Sequence, residues 1–143
     1  MLFRLIRNGI LGLCLSFSSL LVAADIVVVV HPSNTIDAIS KEDSAKIFLG
    51  KLKSFTNGKS AIPLDQHEGA AERNNFYSKV ARKSDSQLKS YWSRLIFTGK
   101  GQPPRSVSNS DAVKAAIAAN PNMISYMSGS EVDSSVKVIL QIP

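Results

Sequence analysis

The sequence predicts an α/β fold in which a mixed sheet is flanked by helices, and three observations support this prediction. Residues 26–30 are five consecutive β-branched residues, which is typical of a strand buried on both faces inside an α/β sheet. Residues 40–43 and 84–87 resemble capping boxes, and each opens a segment with apolar residues at helical spacing. Strand and helix patterns also alternate in the first half of the chain, which indicates a sandwich of two or three layers.

The remaining elements follow from turn and breaker residues. The first strand ends before Pro32, because proline cannot continue a strand ladder, and Gly50 ends the first helix. Asn57 and Gly58 indicate a turn in the next loop. The predicted order is β-α-β-α-α-α-β-β, with the first strand central. After the first helix we expect a strand at 61–64, a polar connection at 65–69, a helix at 70–82 and a helix that begins at residue 84. An irregular loop at 99–104 then precedes a helix at 111–119, capped by Asn109 or Ser110, and the last two strands lie at 123–127 and 136–142.

Several aromatic side chains are expected in the core. Phe48 lies at the inner end of the first helix, and Trp92 and Phe97 lie on the helix that begins near residue 84. Phe55, in the loop after the first helix, either covers the edge of the core or is a partly exposed contact.

Residues 1–24 have the pattern of a removable bacterial signal peptide. Two arginines precede an apolar stretch that is short of the roughly 20 residues a membrane span needs, and small residues then precede Asp25. We predict cleavage after Ala24, with Ala23 as the alternative, and a single domain over residues 25–143. The expected location is the periplasm, with no stable membrane span after cleavage.

Removal of this segment also removes the single cysteine, Cys14, and two arginines. The domain then has no disulfide and no thiol nucleophile, and its formal net charge falls from +6 to +4. Its cations are dispersed and form no basic run with interleaved aromatic residues, so a nucleic-acid partner is not expected. His31 and His67 lack metal-ligand spacing and no nucleophile-elbow motif occurs, so we predict no metal, no cofactor and no enzymatic activity.

Three segments carry a resemblance to a known family. They read IFLGKLKSF at 47–55, a tryptophan followed by FTG and PP within 92–104, and NPNMISY at 120–126. The combination resembles the substrate-binding proteins of bacterial phosphate ABC importers, and more narrowly the short periplasmic phosphate-binding-like proteins. Ser125 stands where that family usually has glycine. The resemblance covers nearly all of residues 26–141 but about one lobe of the two-lobed family, and implies a single-lobe periplasmic-binding-protein-like (type II) sandwich.

The family's anion-binding turn is altered in this sequence. In the family, the strand corresponding to residues 61–64 runs into an arginine and a Ser-Gly-Thr turn, which hold phosphate through a guanidinium and helix N-terminal amides. Here residues 65–73 read DQHEGAAER. Asp65 and Glu68 therefore place negative charge where the anion is expected.

Four polar residues are the predicted ligand-binding groups: Ser33, Asn34, Gln66 and Arg73. Ser33 and Asn34 follow the carboxyl end of the first strand, where ligands of open α/β sheets bind, although the composition also fits a plain turn. Gln66 lies in the altered turn, and Arg73 lies one or two helical turns further on, from where its guanidinium could swing back to an anion.

Two functions remain open on the sequence alone. The resemblance implies a non-catalytic periplasmic solute-binding-like protein that binds phosphate or another small oxyanion and works with an ABC permease. The negative charge at Asp65 and Glu68, together with the absence of a second lobe, favours the alternative. In that case the chain is an envelope accessory or interaction module that has kept the fold and lost the anion site.

Overall fold

The structure, a computed structural model, describes residues 25–143; the predicted signal peptide lies outside the described residues. Within this range the secondary structure is as follows: strands β1 (Ile26–Val30), β2 (Ile62–Gln66), β3 (Arg105–Val107), β4 (Met123–Ser128) and β5 (Lys137–Ile142), and helices α1 (Lys41–Phe48), α2 (Ala71–Phe76), α3 (Asp85–Phe97) and α4 (Ser110–Ala119). α2 continues as a π-helical turn over Tyr77–Ala81. None of the helices in residues 25–143 is long and apolar enough to cross a membrane.

The five strands form one mixed sheet in the order β3-β2-β4-β1-β5. β1 is antiparallel to β4 and β5, whereas β2 is parallel to β3 and β4. The prediction that β1 is central was wrong, because β4 holds that place. A run of β-branched residues reports burial on both faces, which β1 has, but does not report how many strands lie on each side. In the pair formed by β1 and β5, Ile26, the first residue of β1, lies opposite Ile142, the last residue of β5.

Helices cover both faces of the sheet, so the sandwich has three layers. Val28 and Val30 point into a large cluster with residues of α1, α2 and α3, whereas Val27 and Val29 point into a smaller cluster under α4. This alternation follows from the period-2 geometry of a strand. The predicted α/β sandwich with a mixed sheet flanked by helices is therefore confirmed.

The predicted helix caps are present. The Ser40 side chain accepts the Asp43 backbone N–H at the start of α1. At α3 both bonds of the capping box form between Ser84 and Gln87. These bonds satisfy backbone donors that a helix N-terminus otherwise leaves without intrahelical partners. Of the two caps considered for α4, Asn109 is the one observed.

Two parts of the element prediction were wrong. The strand predicted at 61–64 continues to Gln66, so residues 65 and 66 belong to β2 and not to a connection. β3 was missed altogether, because three residues after a Gly-Pro-rich loop give no recognisable alternation. The two wrongly predicted segments pair with each other. Leu64, Asp65 and Gln66 of β2 lie opposite Arg105, Ser106 and Val107 of β3.

The core prediction was correct for Phe48 and Trp92 and wrong for Phe97. Phe48 and Trp92 are buried, and Phe55 is also buried at the core edge, whereas Phe97 is 92% exposed. Phe97 follows Trp92 by five residues, which places it about 140° around the helix axis from Trp92. Ile96, next to it on α3, is also exposed, at 46%.

Candidate functional site

Asp65 lies at the carboxyl end of β2 and is only 4% exposed. Its carboxylate accepts hydrogen bonds from three donors. The Tyr77 hydroxyl donates to Oδ2 at 2.7 Å, the Tyr126 hydroxyl donates to Oδ1, and the Gln66 backbone N–H donates to Oδ1 at 2.8 Å. A buried carboxylate needs such partners, because burial without them is strongly unfavourable. The negative charge of Asp65, which the sequence places where the anion is expected, is therefore enclosed and hydrogen-bonded.

Arg73, on the first turn of α2, completes this cluster. Its Nε lies 3.5 Å from Asp65 Oδ2, its Nη1 donates to Asp85 Oδ1 at 2.7 Å, and its guanidinium lies 5.4 Å from the centre of the Tyr77 ring. Burial acts to lower the pKa of Arg73, but the Asp65 carboxylate and its other neighbours outweigh burial and raise that pKa. Arg73 thus links β2 to the start of α3, and both of its carboxylate partners belong to the protein.

Gln66 lies beside this cluster and is buried. Its side-chain Nε2 donates to the Tyr126 carbonyl oxygen at 3.0 Å, and its backbone N–H lies within 3.2 Å of the Tyr126 hydroxyl. Both groups of Gln66 are thus used to join β2 to β4. We call Asp65, Gln66, Arg73, Tyr77 and Tyr126 the Asp65 cluster.

The other two predicted ligand-binding residues lie at the opposite end of the sheet. β1 is antiparallel to β4 and β2 is parallel to it, so the carboxyl ends of β1 and β2 point in opposite directions. Ser33 is exposed, and its hydroxyl lies 2.7 Å from His31 Nδ1. Asn34 is buried; its Oδ1 accepts the Ile36 N–H at 3.0 Å. The structure therefore brings Gln66 and Arg73 together and separates them from Ser33 and Asn34.

The two tyrosines are the site residues that the sequence analysis missed. Tyr126 was recognised only as part of a family motif, and Tyr77 only as an inward-facing helical residue. Burial, followed by the negative charge of Asp65, raises the pKa of both Tyr77 and Tyr126 above the usual tyrosine value. Both hydroxyls therefore stay protonated and donate to the Asp65 carboxylate.

Raising the pH above about 10 is expected to destabilise the protein through these tyrosines. In the unfolded chain tyrosine ionises near pH 10, about its ordinary pKa, whereas the folded state keeps both protons. The folded state then binds more protons than the unfolded state, so stability is fully present below about pH 10 and falls above it, by up to about 1.4 kcal/mol per pH unit for each tyrosine.

Denaturant unfolding between about pH 8 and pH 11 measures this slope, and Tyr126→Phe supplies the comparison. The variant lacks one of the two titrating hydroxyls, so its stability should fall less steeply than that of the wild type above pH 10. Lysine titration contributes equally to both proteins. Equal slopes would show that Tyr126 ionises as readily in the folded as in the unfolded chain.

The histidines contribute little to a candidate site. His67 is exposed, and its Nδ1 lies 3.0 Å from the carbonyl oxygen of Glu68. Glu68 itself lies 3.4 Å from Lys89 on α3. Within residues 25–143, no group of three or more His, Cys, Asp or Glu side chains is arranged to hold a metal ion.

Comparison with known proteins shows a match in fold. No protein-family model and no curated protein matches the sequence. Among solved structures, a phosphate ABC transporter substrate-binding protein with bound phosphate from Clostridium perfringens aligns with a TM-score of 0.66 at 19% identity, over 81% of this chain and 44% of that protein. An ABC-type phosphate transport receptor from Vibrio cholerae gives a TM-score of 0.64 at 18% identity, over 81% and 45%.

PstS from Borrelia burgdorferi aligns similarly, with a TM-score of 0.63 at 12% identity over 81% of this chain and 46% of that protein. The chain thus spans less than half the length of each of these structures. At such low identity the agreement concerns the fold alone. The resemblance stated from the sequence is confirmed at that level: residues 25–143 have the fold of part of a phosphate ABC transporter substrate-binding protein.

Proposed function

We propose that this chain is an exported, non-catalytic periplasmic protein that acts as an interaction module of the cell envelope and no longer carries phosphate at the position its fold would use. The single observation that carries the proposed loss of the phosphate site is the Asp65 cluster. Asp65 supplies a carboxylate from inside the protein, and two hydroxyls, an amide and a guanidinium already surround it.

The charge of Asp65 opposes a second anion in the same place. Two like charges about 4 Å apart repel by about 4 kcal/mol at the effective dielectric constant typical of protein sites near the surface. A phosphate beside Asp65 would meet this repulsion and would also have to compete for Arg73, whose guanidinium already contacts Asp65 and Asp85. These contacts therefore favour a structural role for the cluster over a role in ligand binding.

The proposed location and partners rest on other features of the chain. Residues 1–24 carry the signal-peptide pattern described above, which supports export to the periplasm. The fold is shared with components of ABC transporters, so an ABC permease or another envelope protein is the proposed partner. Neither role calls for a nucleic acid or a catalytic group.

A second candidate function is weak binding of phosphate or another small oxyanion. One of the structures of this fold contains bound phosphate, which favours this candidate. In this chain the groups nearest the corresponding strand end are Gln66 and Arg73. Binding there would require Arg73 to leave Asp65 or to share its N–H donors with the ligand.

Thermal unfolding in the presence of oxyanions separates the two functions. The protein, expressed from the complete sequence and purified after export, is expected to show the same melting temperature in phosphate, sulfate and chloride at matched ionic strength. A ligand at 100 times its dissociation constant would add about 2.7 kcal/mol and raise the melting temperature by several degrees. The mass of the purified chain also shows whether it begins at Asp25.

Calorimetric titration with phosphate provides the second measurement, and Arg73→Gln is the informative variant. A phosphate-specific rise in melting temperature that disappears in Arg73→Gln would contradict the proposal and establish the oxyanion-binding candidate. A phosphate effect that the variant retains would place the anion elsewhere on the protein and would leave the Asp65 cluster structural.

A further inference from the structure

Two adjoining cavities lie away from the Asp65 cluster. One, of about 510 Å³, is lined mainly by apolar residues; the other, of about 740 Å³, is lined by several cations. They share Gly50, Lys53, Trp92 and Gln102 in their linings, so the two lie side by side. Neither Asp65 nor Arg73 lines either cavity. We call them the apolar slot and the basic cleft.

The apolar slot exists because β3 is short. β3 pairs with β2 only at Leu64–Gln66, so the first part of β2 has no strand beside it on that side. The slot occupies this position. Its apolar lining includes Ile47, Leu52, Ile62, Pro104 and Met123, and Ile62 is 39% exposed. An apolar chain placed here would cover surface that the protein leaves in contact with water.

The basic cleft carries Lys51, Lys53, Arg94 and Lys100 and has no carboxylate in its lining. None of these four side chains lies within 4.0 Å of a carboxylate among residues 25–143, whereas six other contacts between basic and acidic groups do form there. The cations are therefore available to an anion from outside the protein. In a cleft, charges of one sign reinforce one another and attract such an anion.

Tyr91 forms a rigid part of the cleft wall. Its hydroxyl donates to the Leu49 carbonyl oxygen at 2.6 Å, which fixes the ring, and Lys51 Nζ and the Arg94 guanidinium each lie 6.0 Å from the ring centre. The aromatic face thus helps to gather cations at the cleft without neutralising them. The next residue, Trp92, lines both the cleft and the slot.

We propose that the slot and the cleft together bind an anionic amphiphile, with its apolar chain in the slot and its carboxylate or phosphate group in the cleft. Both volumes fall in the range of about 300–1,000 Å³ typical of small-molecule sites. The arrangement offers the apolar chain a mainly apolar lining, which also includes Lys53 and Arg105, and offers the anionic group a basic lining. A peptide strand fits less well, because Pro63, which lines the slot, has no backbone N–H to pair with it. This site is independent of the function proposed for the Asp65 cluster.

Trp92 is the only tryptophan of the chain and lies at the junction, so its fluorescence reports on the site directly. Dodecanoate and dodecyl phosphate, both below their micelle concentrations, are expected to give a saturable change in Trp92 emission. The two probes distinguish a carboxylate head from a phosphate head. Decyl maltoside, which has no charge, and inorganic phosphate, which has no chain, should give no saturable change at the same concentrations.

Charge-reversal variants locate the binding site. Lys53→Glu and Lys100→Glu are each expected to weaken binding of the anionic probes by about tenfold, because an attraction becomes a repulsion. Lys79→Glu makes the same change in charge at an exposed residue outside both cavities and should leave affinity unchanged. Leu52→Asp changes a residue of the slot and should weaken binding of the probes, because their apolar chains bind there less favourably. The melting temperature of this variant shows whether it is folded.

Several outcomes would overturn the proposal. Equal binding of decyl maltoside would make the site a general apolar surface, and saturation by inorganic phosphate alone would make it an oxyanion site. Equal affinity in Lys53→Glu, Lys100→Glu and Lys79→Glu would place the amphiphile elsewhere. A change in Trp92 emission that follows protein concentration without any probe would indicate that a second copy of the chain occupies the slot.

Discussion

Replacing Asp65 with asparagine is expected to lower the free energy of unfolding by about 3–5 kcal/mol, a fall of roughly 10–20 °C in melting temperature. The change keeps the shape of the side chain but removes its charge, and turns an acceptor into an N–H donor. Arg73 then loses its buried partner, and one of the tyrosine hydroxyls, Tyr77 or Tyr126, loses its acceptor. Chemical denaturation of the wild type and the variant measures the difference.

Asp37→Asn is the matched control for this prediction. Asp37 also lies near a cation, with its carboxylate 3.3 Å from Lys137 Nζ, but its side chain is 93% exposed. Exposed pairs of this kind contribute about 0–1 kcal/mol, so little stability should be lost. A loss below about 1 kcal/mol in Asp65→Asn would contradict the role given to the cluster, because it would fall within that same range.

Arg73→Gln, and the double variant that combines it with Asp65→Asn, complete a double-mutant cycle of unfolding free energies. Because Arg73 and Asp65 share partners, the double variant should lose less stability than the sum of the two single variants, by about 0.5–3 kcal/mol. Additive losses would show that the two side chains act independently. This outcome would also weaken the argument that Asp65 keeps Arg73 from a phosphate ion.

Truncating Phe76 to alanine is the second change with a large expected effect, about 3–5 kcal/mol of unfolding free energy. Phe76 is fully buried and stacks on Tyr126, with ring centres 4.1 Å apart and planes 4° apart. Its ring also meets Phe48 at 4.7 Å and Tyr77 at 5.2 Å in edge-on arrangements. Alanine would leave a cavity between α1, α2 and the sheet, and would loosen both tyrosines that hold Asp65.

Phe97→Ala makes the same chemical change at a side chain that is 92% exposed, and provides the control. We expect a change within about 0.5 kcal/mol, as for surface substitutions that touch no special feature. Thermal and denaturant unfolding of both variants test the pair. Similar losses in the two variants would show that Phe97 is packed in solution and that the core extends further than the structure indicates.

The fold could be predicted largely because its signals are local. The run at residues 26–30, the cap at Ser40 and the capping box at Ser84 each act within a few residues, and all three appear as expected. Strand order is not local. The central place of β4 depends on pairings between residues about 100 positions apart, such as Val28 with Tyr126, which no short pattern reports.

The candidate site was harder to predict for the same reason. Asp65 and Gln66 are polar, so a strand pattern ends before them. Their burial depends on Tyr126, which lies 61 residues away from Asp65 along the chain. The local sequence around an aspartate next to a glycine-containing turn is the same whether its carboxylate faces solvent or accepts hydrogen bonds from two tyrosine hydroxyls. The sequence located the negative charge correctly, but only the packing of α2 and β4 shows that this charge is held inside.

The pairing of Ile26 with Ile142 has a consequence for how such a domain is built into longer proteins. The chain enters the sheet on β1 and leaves it on the neighbouring β5, and the Gln141 side chain also donates to Asp25 at 3.0 Å. Entry and exit therefore lie side by side at the same end of the sheet. A unit with this geometry can be inserted at a single point of another chain, or removed from it, with its own sheet left intact.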